Sequence, residues 1–436
     1  MRLLALLVAL SVLAGCDRPL IDTVDADAYI QTDLDLSVVR LDRALTLRLL
    51  PRRTTGLVAV RVNNREVALD PVDGEFVYED DLKRGVNRLI VVASYSDETE
   101  LSDTLFVACF PPETSPPVNA GPARFDPAAA TFPDGRAVFS GGSGTDKRAL
   151  PTATILQATG TGVASSEVDL LAARTGHTAT LVGGGILLLG GTIDEAPAGA
   201  AEFIGTAEWL GPDGVSQGVE IEGGLARSRH TTEVIRVDGQ LYAVLYGGIV
   251  PAGSGASVSG TVDLYKIVFE AGTAPARLVR ISPPGGIGSF PPVADHVQIT
   301  ENVSAWTTLG IGPGGPTSQR FTWLLPGTPS YPFQLAGASS VQLKTPRTDA
   351  AALASSENDL KVGFVFGGRT SDGETLASIG LYAFGVGQVF SFPESVRLTA
   401  PRSGHAATIF DGGRIVVGGG RSASGTTLSA YEVFLL

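Results

Sequence analysis

Histidine is the side chain best suited to proton transfer near neutral pH and to metal ligation, and the chain has four: His177, His230, His296 and His405. Three follow an arginine at one fixed spacing, in Arg174-Thr175-Gly176-His177, Arg227-Ser228-Arg229-His230 and Arg402-Ser403-Gly404-His405, while His296 follows Val293 at the same distance. A catalytic histidine normally occurs once, beside an orienting carboxylate. Four in one repeated position are instead expected to be structural, satisfied by backbone at the start of a strand. Equivalent repeat positions also lie too far apart for four imidazoles to share one metal through bonds of about 2 Å. Scattered acids such as Asp146, Asp194 and Asp372 lack the dense spacing of a calcium loop. No catalytic residue, metal ligand or cofactor is assigned.

The arginines of the same pattern, Arg174, Arg227, Arg347 and Arg402, have two readings. Lying near one face, they would ring a mouth that binds an anion, and in that role they are the candidate binding-face residues. Half-buried, they would pair with carboxylates or carbonyls between repeats, as a desolvated guanidinium requires. The second reading is preferred.

The elements that carry these residues recur from Arg124 onward. The clearest copy runs from Arg402 through Asp411-Gly412 to Gly418-Gly419, reading as a strand, a tight turn, an apolar strand and a diglycine. Arg174 to Gly190-Gly191 and Arg227 to Gly247-Gly248 repeat it. Three copies are degenerate. The first, from Arg124 to Gly141-Gly142, has Pro127 in place of histidine. The fourth has Gly310-Ile311-Gly312 for the diglycine, and the fifth keeps Arg347 and Gly367-Gly368 but has Ala350. A third strand follows with Trp209, Tyr265, Trp323, Tyr382 or Tyr431, and with Leu156 in the first copy. This pattern, with a period of about 50 residues, resembles kelch repeats, each a four-stranded propeller blade. The expected fold is all-β, a six-bladed kelch-type β-propeller over residues 118–436 preceded by a small β-sandwich domain. The last copy stops at its third strand, so the segment around Val118 to Phe125 is expected to complete it and close the ring.

Residues 33–109 are more highly charged and alternate apolar with polar, as in Ala44-Leu45-Thr46-Leu47-Arg48-Leu49, which buries one face of a strand and solvates the other. Leu82 to Ala93 resembles a strand entry of bacterial immunoglobulin-like domains, which implies a small sandwich. Residues 110–117, rich in proline, are expected to be a semi-rigid linker because proline lacks the amide donor of a ladder. Cys109 is expected to be a small buried hydrophobe.

At the start, Met1-Arg2 precede an apolar run from Leu3 to Val12, too short to span a bilayer at roughly 20 residues. With Leu13-Ala14-Gly15-Cys16 behind it, this resembles a bacterial lipoprotein signal. The resemblance implies that residues 1–15 are a signal peptide, Cys16 carries the acyl chains and residues 16–32 are a lipidated tether. The protein is then expected at the cell envelope. Outer membrane or cell surface is favoured, and Asp17 leaves the inner membrane open.

A net charge of −13 argues against nucleic acid as a partner. The expected function is a lipid-anchored envelope binding protein that docks a protein or glycan on the propeller's loop face, with the membrane as a second partner. The face carries the variable insertions Ser143 to Ala149, Thr192 to Ala201, Ile249 to Gly260 and Pro283 to Pro292. Two alternatives stand beside it: a kelch-fold carbohydrate-active enzyme resembling sialic-acid epimerases, and a purely structural envelope component. Copper oxidases of the galactose-oxidase type share the fold but need a cysteine in the propeller, and none is present.

Overall fold

In the computed structural model, residues 30–160, 162–195, 202–270, 272–282, 291–302, 305–312, 315–324, 334–340, 345–357, 360–383 and 388–435 are described. Residues 1–15, read from the sequence as a signal peptide, and Cys16 and Asp17 lie outside them. The described residues form strands and no helix, so none of their helices is long and apolar enough to cross a membrane.

The chain divides into two compact units, the first comprising residues up to Pro111 together with Glu357–Leu360 and the second Pro112–Ser356 with Lys361–Leu436. In the first, β1 (Ile30–Thr32), β2 (Ala44–Pro51), β3 (Leu57–Val62), β4 (Arg65–Leu69), β5 (Phe76–Asp81), β6 (Gly85–Tyr95) and β7 (Glu100–Cys109) pair in the order β1-β2-β5-β4-β3-β6-β7. Period-two patterning gives the strands of this sheet one buried face. Along β6, Leu89, Val91, Ala93 and Tyr95 are buried while Arg88 and Ile90 face out. The inward residues meet Leu45, Leu47, Leu49, Val60 and Val62 in one core. Strand β1 starts within the stretch expected to be tether and pairs with β2. Cys109 is buried, its thiol donating to the Asp42 carbonyl at 3.2 Å.

The second unit opens with β8 (Glu113–Asn119), and six four-stranded blades follow. Blade 1 is β9 (Ala128–Thr131), β10 (Ala137–Ser140), β11 (Thr152–Thr159) and β12 (Gly162–Asp169). Blade 2 is β13 (Thr178–Val182), β14 (Gly185–Leu189), β15 (Ala207–Leu210) and β16 (Ser216–Glu222). Blade 3 combines β17 (Thr231–Val237) and β18 (Gln240–Tyr246) with β21 (Val262–Val268) and β22 (Arg277–Arg280). Between its halves lies a separate hairpin, β19 (Ile249–Ala252) and β20 (Gly255–Val258). Blade 4 is β23 (Ala294–Asn302), β24 (Ala305–Gly312), β25 (Gly315–Leu324) and β26 (Gln334–Ser340). Blade 5 is β27 (Ala351–Glu357), β28 (Leu360–Phe366), β29 (Ile379–Ala383) and β30 (Gln388–Ser391). Blade 6 is β31 (Arg402–Phe410), β32 (Arg414–Ser422) and β33 (Ala430–Leu435), completed by β8.

Burial falls from the second strand of a blade to its rim. Every residue of β10 and β14 is buried, whereas β12 is largely exposed. The second strands are clamped between neighbouring blades, and for that reason they read as unbroken apolar runs. Val138 and Ile155 of blade 1 pack on Ile186, Leu188 and Leu210 of blade 2. Phe139 and Leu156 pack on Phe410, Val416 and Tyr431 of blade 6. The aromatics at the third-strand position fall on β15, β21, β25, β29 and β33.

Three features depart from the sequence reading. The proline-rich stretch is not a linker: Phe110 is fully buried in the first unit, and the closing strand already begins at Glu113. Strand β8 pairs with β33 from Ala430↔Asn119 to Leu435↔Glu113, with a register shift opposite Pro116-Pro117. It lies at the edge of its sheet, where proline's missing donor breaks no second ladder. In blade 6 the structural diglycine is Gly419-Gly420 rather than Gly418-Gly419, since those two have positive φ. Finally, β16 and β22 pair in parallel through Glu220↔Arg277 to Glu222↔Val279, joining the rims of blades 2 and 3.

Candidate functional site

The repeat arginines are interior groups. Arg124, Arg174, Arg227, Arg347 and Arg402 are all buried. Each donates to the carbonyl of the first diglycine residue of its own blade: Gly141 at 2.7 Å, Gly190, Gly367 and Gly419 at 3.0 Å each, and Gly247. Four also meet a carboxylate: Arg124 with Glu167, Arg174 with Glu208, Arg227 with Asp263 and Arg402 with Glu432. Arg174, Arg227, Arg347 and Arg402 therefore do not ring a mouth. Their task is to satisfy carbonyls where each blade turns, which a fully buried guanidinium with five donors can do.

The histidines couple one blade to the next. Imidazole Cε1 of His177, His230, His296 and His405 lies against the first glycine of the preceding diglycine, where an added Cβ would stand 2.7, 2.9, 2.7 and 2.8 Å away. The second glycine donates its amide to the arginine-position carbonyl of the following blade: Gly142 to Arg174, Gly191 to Arg227, Gly248 to Val293, Gly368 to Arg402 and Gly420 to Arg124. The last of these crosses the ring closure. Burial, reinforced by the nearby arginines, depresses all four histidine pKa values, those of His296 and His405 to about 3. Burial thus holds them neutral at physiological pH.

The chemistry collects one position earlier. The residue before each histidine position is Asp126, Gly176, Arg229, Asp295, Asp349 or Gly404, and every one has φ between 50° and 62°. Their backbones link around the axis. Asp126 N–H donates to Gly404 C=O at 2.7 Å, Gly176 to Asp126 at 3.3 Å and Arg229 to Gly176 at 2.6 Å. Asp349 donates to Asp295 at 3.3 Å and Gly404 to Asp349 at 2.8 Å. The left-handed conformation suits glycine and tolerates aspartate, but it is uncommon for a residue as long as arginine.

A cavity of about 170 Å³ lies at this ring, lined by Asp126, Arg229, Asp295 and Asp349 with the four histidines. Arg229 Nη1 reaches Asp295 Oδ1 at 3.1 Å and Oδ2 at 3.2 Å, and its Nε lies 3.8 Å from Asp126 Oδ2. Burial, opposed by Arg229 and supported by Asp295 and Glu195, raises the Asp126 carboxyl to about 6. Burial and the two other aspartates push Asp349 up to about 7, against Arg229 and Arg369. Burial alone would lower the Arg229 pKa, but Asp295, Asp126 and Asp349 outweigh it and hold the guanidinium above its ordinary value.

Around the ring, Glu195 accepts from Arg421 Nη2 at 2.8 and 3.1 Å and from the Ser143 hydroxyl. Arg421 lies 4.0 Å over the Phe125 ring. Arg369 Nε donates to Ser403 Oγ at 2.8 Å. Of the insertions, Ser143 to Ala149 and the β19–β20 hairpin are described, while 196–201 and 283–290 lie outside the described residues. Among the described residues, no group of three His, Cys, Asp or Glu has the spacing of a metal site.

Sequence reasoning attended to the arginine and histidine columns and passed over the column between them. The signal was present: that column holds only glycine or a charged residue, and strand starts seldom need a charge.

No family model and no curated protein matches the sequence. Among solved structures, 194 chains match. One is YjhT, at a TM-score of 0.51 and 12% identity, over 72% of this chain and 95% of that chain. The likeness supports the propeller fold seen here.

Proposed function

We propose that this is a lipid-anchored cell-envelope protein that docks a protein or glycan partner at the axial mouth of its propeller. The observation that carries the reading is the charge at the ring position. The backbone there asks only for positive φ, which Gly176 and Gly404 supply without a side chain. Placing Asp126, Arg229, Asp295 and Asp349 in the other blades crowds like charges and gives arginine an unfavourable backbone, both of which cost stability. Such a cost is typical of a site kept for recognition. The apolar run ending at Leu13-Ala14-Gly15-Cys16 supports the anchor. The seven antiparallel strands of the first unit, packed on one apolar core, support an immunoglobulin-like reading of it.

A second reading, a carbohydrate-active enzyme of the epimerase kind, is favoured by one feature. Asp126 at about 6 and Asp349 at about 7 are carboxyls that can take and return a proton near neutral pH.

The test is to express the full chain with its leader and follow Cys16→Ser, then to compare partner capture and glycan-array binding by wild type and Arg229→Gln. Acylated, membrane-bound wild type that loses a specific partner in Arg229→Gln is the expected result. A soluble wild-type protein would sink the anchor, and capture indifferent to Arg229→Gln would sink the axial mouth. Turnover of a captured sugar would replace binding with the catalytic reading.

A further inference from the structure

The axial cavity has an excess of acceptors. Three carboxylates face a single guanidinium, and that guanidinium is committed to Asp295, with Asp126 beside it. The Asp349 carboxylate is partly exposed and feels Arg229 and Arg369 only through their charge. A second, independent group is unsatisfied. His230 is 5% exposed and lines the cavity, yet neither ring nitrogen has a hydrogen-bond partner among the described residues. Burial keeps this imidazole neutral, so one of its nitrogens is an acceptor. Buried polar groups are almost always paired, and those left open mark where something else binds.

We infer that the axial cavity takes a primary ammonium group carried on an unbranched chain, with Asp126, Asp295 and Asp349 as its acceptors; this rests on reading the axial mouth as a binding site. An ammonium has three donors radiating from one nitrogen. They match carboxylates that arrive from three blades around an axis. A guanidinium would need a bidentate carboxylate in its own plane, and Arg229 already holds the one at Asp295. A divalent metal would need oxygens at about 2.0–2.6 Å from one point, and the described acids are not spaced that way. A cavity of about 170 Å³ is many times the roughly 10–15 Å³ that admits one water, enough for a narrow aminoalkyl chain.

The charged groups around the bound cation are Asp126, Asp295, Asp349 and Arg229 on the ring, Arg369 beside Asp349, and the Glu195–Arg421 pair beyond Asp126. The four histidines of the floor stay neutral. Binding a cation favours the ionised form of Asp349 and Asp126. Affinity therefore falls as pH drops through the range from about 7 to about 6 in which those carboxyls take up protons.

Calorimetric titration of the full chain at low ionic strength tests this with two probes, 1,5-diaminopentane and a short peptide with one lysine. The expected result is saturable binding at pH 8, about tenfold or more weaker at pH 5 and lost in Asp349→Asn without any fall in its melting temperature. Tighter binding of the peptide identifies a lysine side chain of a protein partner, and tighter binding of the diamine identifies a free polyamine. Absence of binding by both probes, or binding unaltered in both Asp349→Asn and Asp126→Asn, overturns the inference. If partner capture still depends on Arg229 in that case, the axial mouth survives as a binding site and only its ammonium specificity falls.

Discussion

Arg402 and Glu432 offer the cleanest test of whether the repeat arginines hold the fold or serve the mouth. Both are almost fully buried, at 1% and 3% exposure, and form an ion pair. Arg402 also donates to Gly419 and Ala430 carbonyls at 3.0 Å each, and Glu432 Oε2 accepts the Thr399 amide at 2.7 Å. Arg402→Met fills similar volume but leaves a carboxylate and two carbonyls without their donor. Breaking a buried pair in this way costs about 3–5 kcal/mol. Glu432→Gln keeps one acceptor oxygen for the two donors that Glu432 serves and leaves the buried Arg402 charge without its counter-ion, so it is also expected to cost about 3–5 kcal/mol. In the double variant no charge remains buried, so its loss should fall short of the sum by about 1–3 kcal/mol. All three tryptophans, Trp209, Trp306 and Trp323, lie in the propeller unit, so urea unfolding followed by their fluorescence reads that unit. Arg347 has carbonyl partners but no carboxylate among the described residues, and Arg347→Met should cost less than Arg402→Met. A loss below about 1 kcal/mol for Arg402→Met, or lost partner capture at unchanged stability, would refute the structural assignment.

Asp349 is held protonated to about pH 7 in the fold, against 3.8 as its ordinary value. The folded state then binds the proton more tightly than the unfolded chain, so the stability this group contributes is present below pH 4 and lost as pH rises to about 7. The shift has an upper bound of about 4 kcal/mol, which solvent screening at a partly exposed carboxyl reduces to about 1–2 kcal/mol. Asp349→Asn should raise the melting temperature at pH 8 and leave it unchanged at pH 4; equal melting at both would contradict the crowding of the ring. At Gly141 an added Cβ would stand 2.2 Å from the Arg174 carbonyl, whereas at Gly412 it meets nothing within 4 Å, and both have positive φ. Thermal melts should show Gly412→Ala losing only the backbone cost of about 1–2 kcal/mol and Gly141→Ala distinctly more, and equal losses would remove the inter-blade contact as the cause. Replacing residues 113–119 by a Gly/Ser segment opens the ring at β33. The melting temperature should fall by about 10 °C or more, at about 2–4 °C per kcal/mol, and an unchanged value would rule out strand closure.

Much of the fold was legible because a propeller is written locally. Each blade needs its own buried second strand, its turn and its close glycine approach, so the same residue types return about every 50 residues. Trp209, Tyr265, Tyr382 and Tyr431 marked the third strands, and the missing fourth strand after Tyr431 pointed to closure by the N-terminal segment. The arginine and histidine columns also carried a readable warning, since chemistry is seldom repeated in every blade. What misled was proline: Pro116-Pro117 argued for a spacer, and only a neighbour on one side made a strand possible there. The register of Gly418-Gly419-Gly420 likewise awaited the carbonyl of Arg124 across the closure.

By itself the sequence determined the blade count, the strand order within a blade and the structural nature of the histidines. It did so because these depend on hydrophobic periodicity and turn chemistry over short stretches. The tertiary structure alone decided the site. Asp126, Arg229, Asp295 and Asp349 are dispersed over more than two hundred residues and become neighbours only when the ring closes. Their shifted protonation, and the unpartnered His230 beside them, arise from burial and mutual field, which exist only in the closed ring.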